Sequence, residues 1–212
     1  MKNFKKVGLV FVSILAVISL GACSAEWKTS DAVDYVKTSL NAFTKGDMKK
    51  YAEITKQTEK EAKSEYEDGI NEILKSFEGP GVTDSAKAEL KTVMLDLLKI
   101  SKYDVKSAEK IKDGFDVKLT VKPFIGFDNL ESELKKQVTP EAIEKSGVDV
   151  TNETAVNEWA MGITIDFMKQ AVKNPTYGTE KEMTVKVKKQ DKVYALSDSD
   201  MEKVIAYMLG GK

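Results

Sequence analysis

The spacing of apolar residues changes along this chain, and the points of change fix its architecture. Phe115, Val117, Leu119 and Val121 alternate with Asp116, Lys118, Thr120 and Lys122, and Met183, Val185 and Val187 alternate with Thr184, Lys186 and Lys188. A period of two puts one side of a strand in the core and the other in water, the pattern of an antiparallel sheet. Each stretch has a partner across a turn: Tyr103, Val105 and Ile111 precede Lys112-Asp113-Gly114, and Val193 to Leu196 follows Gln190-Asp191. Elsewhere the spacing is helical. The fold class is therefore α+β, with two hairpins giving an antiparallel sheet of about four strands packed against several helices. One sheet shared by both hairpins is the simplest arrangement. Helices followed by a hairpin occur twice, without a residue-level repeat beneath.

The helical stretches carry their own punctuation. Ser30 reads as an N-cap, with Asp31 and Asp34 in the first turn and Val33, Val36, Leu40 and Phe43 as the apolar stripe. Gly46 is the stop and Asp47 the next cap. Thr55 to Ser64 is charged and leaves a solvated helix and a bend both open. Periodicity returns at Tyr66, Ile70, Ile73, Leu74 and Phe77 and breaks at Gly79-Pro80-Gly81. Thr83 or Asp84 then caps a helix whose core face runs from Ala86 to Leu98. Between the hairpins, residues 127–174 read as three helices. The last of them, from about Glu153 to Lys173, is apolar nearly all round, which predicts burial on two faces with Trp159 in the core. Ser197 to Asp200 opens the final helix.

The first 23 residues decide location. Lys2, Lys5 and Lys6 precede an uncharged run of 16 residues, Val7 to Ala22, which closes on Leu20-Gly21-Ala22-Cys23 and the sole cysteine of the chain. Spanning a bilayer takes about 18–20 apolar residues, so a permanent transmembrane helix is the weaker reading. The pattern resembles a bacterial lipoprotein signal, the lipobox. That resemblance implies cleavage between Ala22 and Cys23 and a diacylglycerol, bearing palmitate-like chains, on the cysteine sulfur. A buried apolar cysteine, or ordinary signal cleavage after Ala22 or Ala25, are the alternatives. The domain plan is a signal peptide over 1–22, a lipidated tether over 23–29 and a single α+β domain over 30–212. Within it lie helices 30–100, hairpin 103–124, helices 127–174, hairpin 182–197 and a C-terminal helix 198–209. Two acyl chains hold a protein stably, placing it at the cell membrane on the extracytoplasmic face. Trp27, four residues beyond the cysteine, suits the membrane interface. All basic residues are lysine, which points to an AT-rich genome and a Gram-positive source.

Composition narrows the chemistry. The chain has 33 lysines and 34 acids; losing the three signal lysines leaves 30 against 34, a net charge of −4. Such mild acidity disfavours nucleic acid as a partner. With no histidine, no arginine and, after acylation, no free thiol, the commonest general base, the bidentate anion clamp and thiolate chemistry are all missing. We therefore expect no catalytic residue, no metal site and no cofactor, with a carboxylate-dependent enzyme as the rival reading. Asp198-Ser199-Asp200 with Glu202 lacks calcium-loop spacing and reads as helix capping. Glu59, Glu61, Glu65, Glu67 and Asp68, interleaved with Lys56, Lys60 and Lys63, read as solvated faces. Phe124, Phe127 and Tyr177 lie where strands meet helices and are candidates for the rim of an apolar pocket, against ordinary corner packing.

Asp31 to Phe43 with Lys45-Gly46-Asp47, and the closing stretch Thr184 to Val187 through Val193-Tyr194-Ala195-Leu196 and Ser197-Asp198-Ser199-Asp200, are similar to the opening and closing of nuclear transport factor two-like domains. With the lipobox, the chain resembles Gram-positive surface lipoproteins carrying a domain of unknown function. The minimal cone-shaped fold of that family lacks the block 127–174. The resemblance implies a fold and a location and transfers no chemistry. The expected function is a cell-surface, non-catalytic module that binds a small molecule or an envelope protein. An envelope scaffold and a precursor of a signal-peptide-derived pheromone are the further alternatives.

Overall fold

The computed structural model describes residues 26–75, 77–79, 82–190 and 193–211. Ala22 and Cys23, and with them the signal, cleavage and lipidation expectations, lie outside the described residues, as do Pro80, Gly81 and Asp191. Among the described residues four helices come first: α1 (Thr29–Lys45), α2 (Met48–Thr55), α3 (Glu59–Lys75) and α4 (Asp84–Lys99). The hairpin β1 (Lys102–Ile111) and β2 (Gly114–Lys122) follows, then an insert of α5 (Leu130–Gln137), α6 (Pro140–Ser146) and α7 (Glu153–Lys173). The chain closes with β3 (Lys181–Gln190), β4 (Val193–Leu196) and α8 (Asp198–Met208).

The two hairpins form one antiparallel sheet in the order β1-β2-β3-β4. Val117 pairs with Ala108 on one side and Val185 on the other, so β2 and β3 are the central strands although the whole insert separates them in sequence. The alternation does what it predicts: Phe115, Val117, Leu119, Val121, Val185 and Val187 are buried, while Lys118, Lys122, Thr184, Lys186 and Lys188 face water. A bulge between Val105 and Ser107 interrupts the edge strand β1, the usual place for such an irregularity.

The buried face of the sheet packs on α1 and α8, with Val36, Leu40, Phe43, Met201, Val204 and Ile205 completing the main core and α2 and α3 adding Tyr51, Ile70 and Ile73. A smaller cluster joins α4 to α7 through Leu90, Val93, Ile165 and Met168. At about 25 cal/mol per Å2 of apolar surface, each fully buried side chain of this size contributes roughly 1.5–3 kcal/mol, so the main core dominates stability.

Two local expectations are corrected and one open alternative is resolved. Ser30 is not the first cap: α1 begins at Thr29, and Asp31 reaches back so that its Oδ2 accepts from the Lys28 backbone N–H at 2.8 Å. The charged stretch after Thr55 resolves into a turn and a helix, because Thr58 and Glu61 form a reciprocal cap. The Glu61 N–H donates to Thr58 Oγ1 at 3.2 Å and the Thr58 N–H to Glu61 Oε2 at 2.8 Å. Finally, α7 is not enclosed on two faces. Only Ile165 and Met168 are buried, and Trp159, Ile163 and Phe167 are half-buried. The short helices α5 and α6, rich in Glu and Lys and without a buried residue, cover only part of it.

Candidate functional site

Of the predicted site residues, Phe124, Phe127 and Tyr177 are brought together. They stand at the end of the sheet where β2 gives way to the insert and the insert returns to β3. Phe124 and Tyr177 form an isolated antiparallel bridge. Around it the Ile125 N–H donates to the Thr176 carbonyl at 3.0 Å, the Gly178 N–H to the Pro123 carbonyl at 2.9 Å and the Phe124 N–H to the Met208 carbonyl at 3.0 Å. The corner is thus strapped to both ends of the insert and to the last helix.

The Phe124 and Phe127 rings meet edge to face, centroids 4.8 Å apart at 77°, and Phe124 and Tyr177 do the same at 6.3 Å and 81°. This is the arrangement that ring quadrupoles favour. Phe124 is only 3% exposed, whereas Phe127 and Tyr177 are half-buried. Phe127 packs on the smaller core, while Leu74 and Phe77 touch both clusters and join them. A glycine is required beside it, since a Cβ on Gly126 would lie 2.4 Å from the Phe124 ring. The Tyr177 hydroxyl donates to the Ile100 carbonyl at 2.7 Å, and Lys102 Nζ lies 3.9 Å from the Tyr177 ring centroid. Burial pushes the Tyr177 hydroxyl above its ordinary pKa, so it is a hydrogen-bond donor at neutral pH. Between them these groups offer apolar ring edges and a cation.

At the opposite end of the sheet the chain enters the domain. Trp27 stacks on Tyr194, centroids 4.3 Å apart at 18°, and meets Tyr35 edge-on at 5.3 Å. Beside it Lys110 Nζ donates to Glu26 Oε1 at 2.7 Å. That bond, and then the lysine charge, hold the Glu26 carboxyl below the usual glutamate value. Trp27 is therefore engaged by the domain itself rather than hanging free for the membrane interface. Nothing in its immediate sequence signals this, because its partner lies on the last strand.

The acidic residues do structural work. Asp200 Oδ2 accepts from the Lys186 backbone N–H at 3.2 Å, tying α8 to β3, while Ser197, at the cap position, makes no side-chain cap bond. Glu59 pairs with Lys63 at 2.6 Å on the exposed side of α3. Among the described residues no three Asp, Glu or Cys side chains converge as a metal site would need. No described helix is long and apolar enough to cross a membrane.

Neither a family model nor a curated protein matches the sequence. The fold has a solved counterpart. The chain is similar to the crystal structure of ycdA from Bacillus subtilis, a candidate lipoprotein, with a TM-score of 0.59 and 20% identity. The likeness covers 95% of this chain but 58% of that one, so the chain spans a little over half the length of its structural neighbour. At this identity the likeness is one of fold.

Proposed function

We propose that this protein is a lipoprotein anchored at the extracytoplasmic face of the membrane, cleaved after Ala22 and carrying a diacylglycerol on Cys23. Its α+β domain is a non-catalytic module that binds a small molecule or an envelope protein. The observation that carries the reading is the sequence Leu20-Gly21-Ala22-Cys23 at the end of a basic and then uncharged stretch. The fold shared with a candidate lipoprotein agrees with it, and so does the resemblance to nuclear transport factor two-like surface lipoproteins. The absence of histidine, arginine and a second cysteine supports binding over catalysis.

Binding belongs to the aromatic corner and the neighbouring insert. The space between the sheet and α1 is filled by Leu40, Phe43, Val117 and Leu119, whereas Phe127 and Tyr177 keep part of their rings exposed. The insert also presents Val150, at 63% the one large hydrophobic residue that stands out as exposed among those described. Metabolic labelling with an alkyne fatty acid tests the anchor: the wild-type protein is expected to incorporate label and Cys23→Ser to lose it. Labelling of both, or of neither, rejects the anchor. Native mass spectrometry of the detergent-extracted protein tests the module. A bound mass or crosslinked partner weakened by Phe127→Ala supports it, and binding indifferent to that change moves the site elsewhere.

A further inference from the structure

We infer that the protein sits on the membrane with the Ile111–Gly114 end of its sheet turned to the lipid. The inference rests on the anchoring at Cys23 proposed above and adds an orientation to it. Its ground is the length of free chain. Only Ser24 and Ala25 separate Cys23 from Glu26, a span of three steps or about 10 Å at full extension. At Glu26 the chain is already caught by Lys110, and at Trp27 by the stack on Tyr194 and the edge contact with Tyr35. All of these groups lie at one end of the sheet: Lys110 is next to the last residue of β1, and Tyr194 opposes Lys189 near the end of β3. A lipid on Cys23 can therefore lie no more than about 10 Å from this end, too little to let the domain turn another side to the bilayer.

Charge does not set the orientation. Lys28, Lys110, Lys112, Lys188 and Lys189 are exposed around Trp27 and the β1–β2 turn, but the same end holds as many acids: Glu26, paired with Lys110, Asp31, whose carboxylate accepts from the Lys28 N–H, Glu109 and Asp116, which face each other across β1 and β2, and Asp113. The tether alone carries the orientation.

The orientation has a consequence for binding. At about 3.3 Å per residue, β1 carries the chain roughly 30 Å away from the lipid. The aromatic corner and the insert therefore face outward, clear of the head groups.

The test uses the full mature protein reconstituted in phosphatidylcholine vesicles containing phosphatidylglycerol, with a quencher on the lipid head groups. Asp113→Cys and Glu180→Cys each give one labelling site, because an acylated Cys23 cannot react. Quenching several-fold stronger at Asp113→Cys than at Glu180→Cys is expected. Equal quenching in a protein whose intact mass shows the diacylglycerol overturns the orientation and leaves the anchor standing. A protein that carries no lipid and floats free of the vesicles overturns both. The contrast is expected to persist in vesicles of phosphatidylcholine alone, because the tether sets it, and its loss there overturns the tether argument.

Discussion

Replacing Gly114 by alanine attacks the joint on which the sheet depends. Gly114 has φ +140°, a conformation nearly reserved for glycine, and a Cβ there would lie 1.9 Å from the Val187 carbonyl oxygen on the neighbouring strand. That gap must open beyond 3.0 Å, which means moving either the end of β2 or the β3 backbone. Backbone strain of this kind costs about 1–3 kcal/mol, and a broken ladder bond adds about 1 kcal/mol. The sum, about 3 kcal/mol, is a large share of the roughly 5–15 kcal/mol of a typical domain. For a chain of this size it lowers Tm by about 10 °C. Gly162 provides the control within the same molecule. It is exposed in α7 with nothing within 4 Å of its would-be Cβ, so Gly162→Ala gains about 0.5–1 kcal/mol and raises Tm by about 2 °C. Thermal unfolding followed by far-ultraviolet circular dichroism reads both. A Gly114→Ala protein melting within a degree or two of wild type would refute the β2–β3 register, because in that register the new Cβ strikes the Val187 carbonyl.

Three further outcomes follow from side-chain contacts. Thr58→Ala removes the reciprocal cap of α3 and is expected to cost about 1 kcal/mol in urea unfolding; an unchanged midpoint would mean that the bonds to Glu61 do not hold in solution. Tyr103→Phe deletes the hydroxyl that donates to Asn41 Oδ1 at 2.7 Å and lies 2.9 Å from Thr44 Oγ1. Its cost of about 1–2 kcal/mol should fall by half or more in an Asn41→Ala background, where the acceptor is gone. The Glu26 carboxyl, held below 4.5 by Lys110, stabilises the folded chain fully above that pH, and the contribution is lost as pH falls through the depressed value. In an NMR titration Lys110→Ala should bring the Glu26 midpoint up towards 4.5, and identical midpoints in the two proteins would dismiss the pair.

What the sequence revealed and what it concealed divide along a physical line. Strict alternation from Phe115 to Val121 and from Met183 to Val187 is a signal that each strand carries alone, so the sheet, the Lys112-Asp113-Gly114 turn and the buried face were legible. The same holds for Gly46, which closes α1 in the left-handed conformation as read. Long-range partners leave no such trace. Trp27 looks like a membrane-interface residue until Tyr194, on the fourth strand, is found stacked on it. The apolar circumference of α7 was misread because burial depends on neighbours, and α5 and α6 are too short and too charged to enclose it. The reciprocal cap of α3 was there to be read: Thr58 followed three residues later by Glu61 is the spacing that marks such a start. The aromatic corner was half visible, since Phe124 and Tyr177 both mark strand ends, but the bridge that joins them is set by the topology of the insert.

The central claim is that the chain ends at an acylated cysteine only a few residues before the domain begins. Intact-mass measurement of the mature protein extracted from the membranes of its own host tests it most directly. The account predicts a polypeptide beginning at Cys23 and heavier than residues 23–212 by at least one diacylglycerol. A protein that begins at Ser24 or Glu26, or that retains residues 1–22, and has no added lipid mass would contradict it.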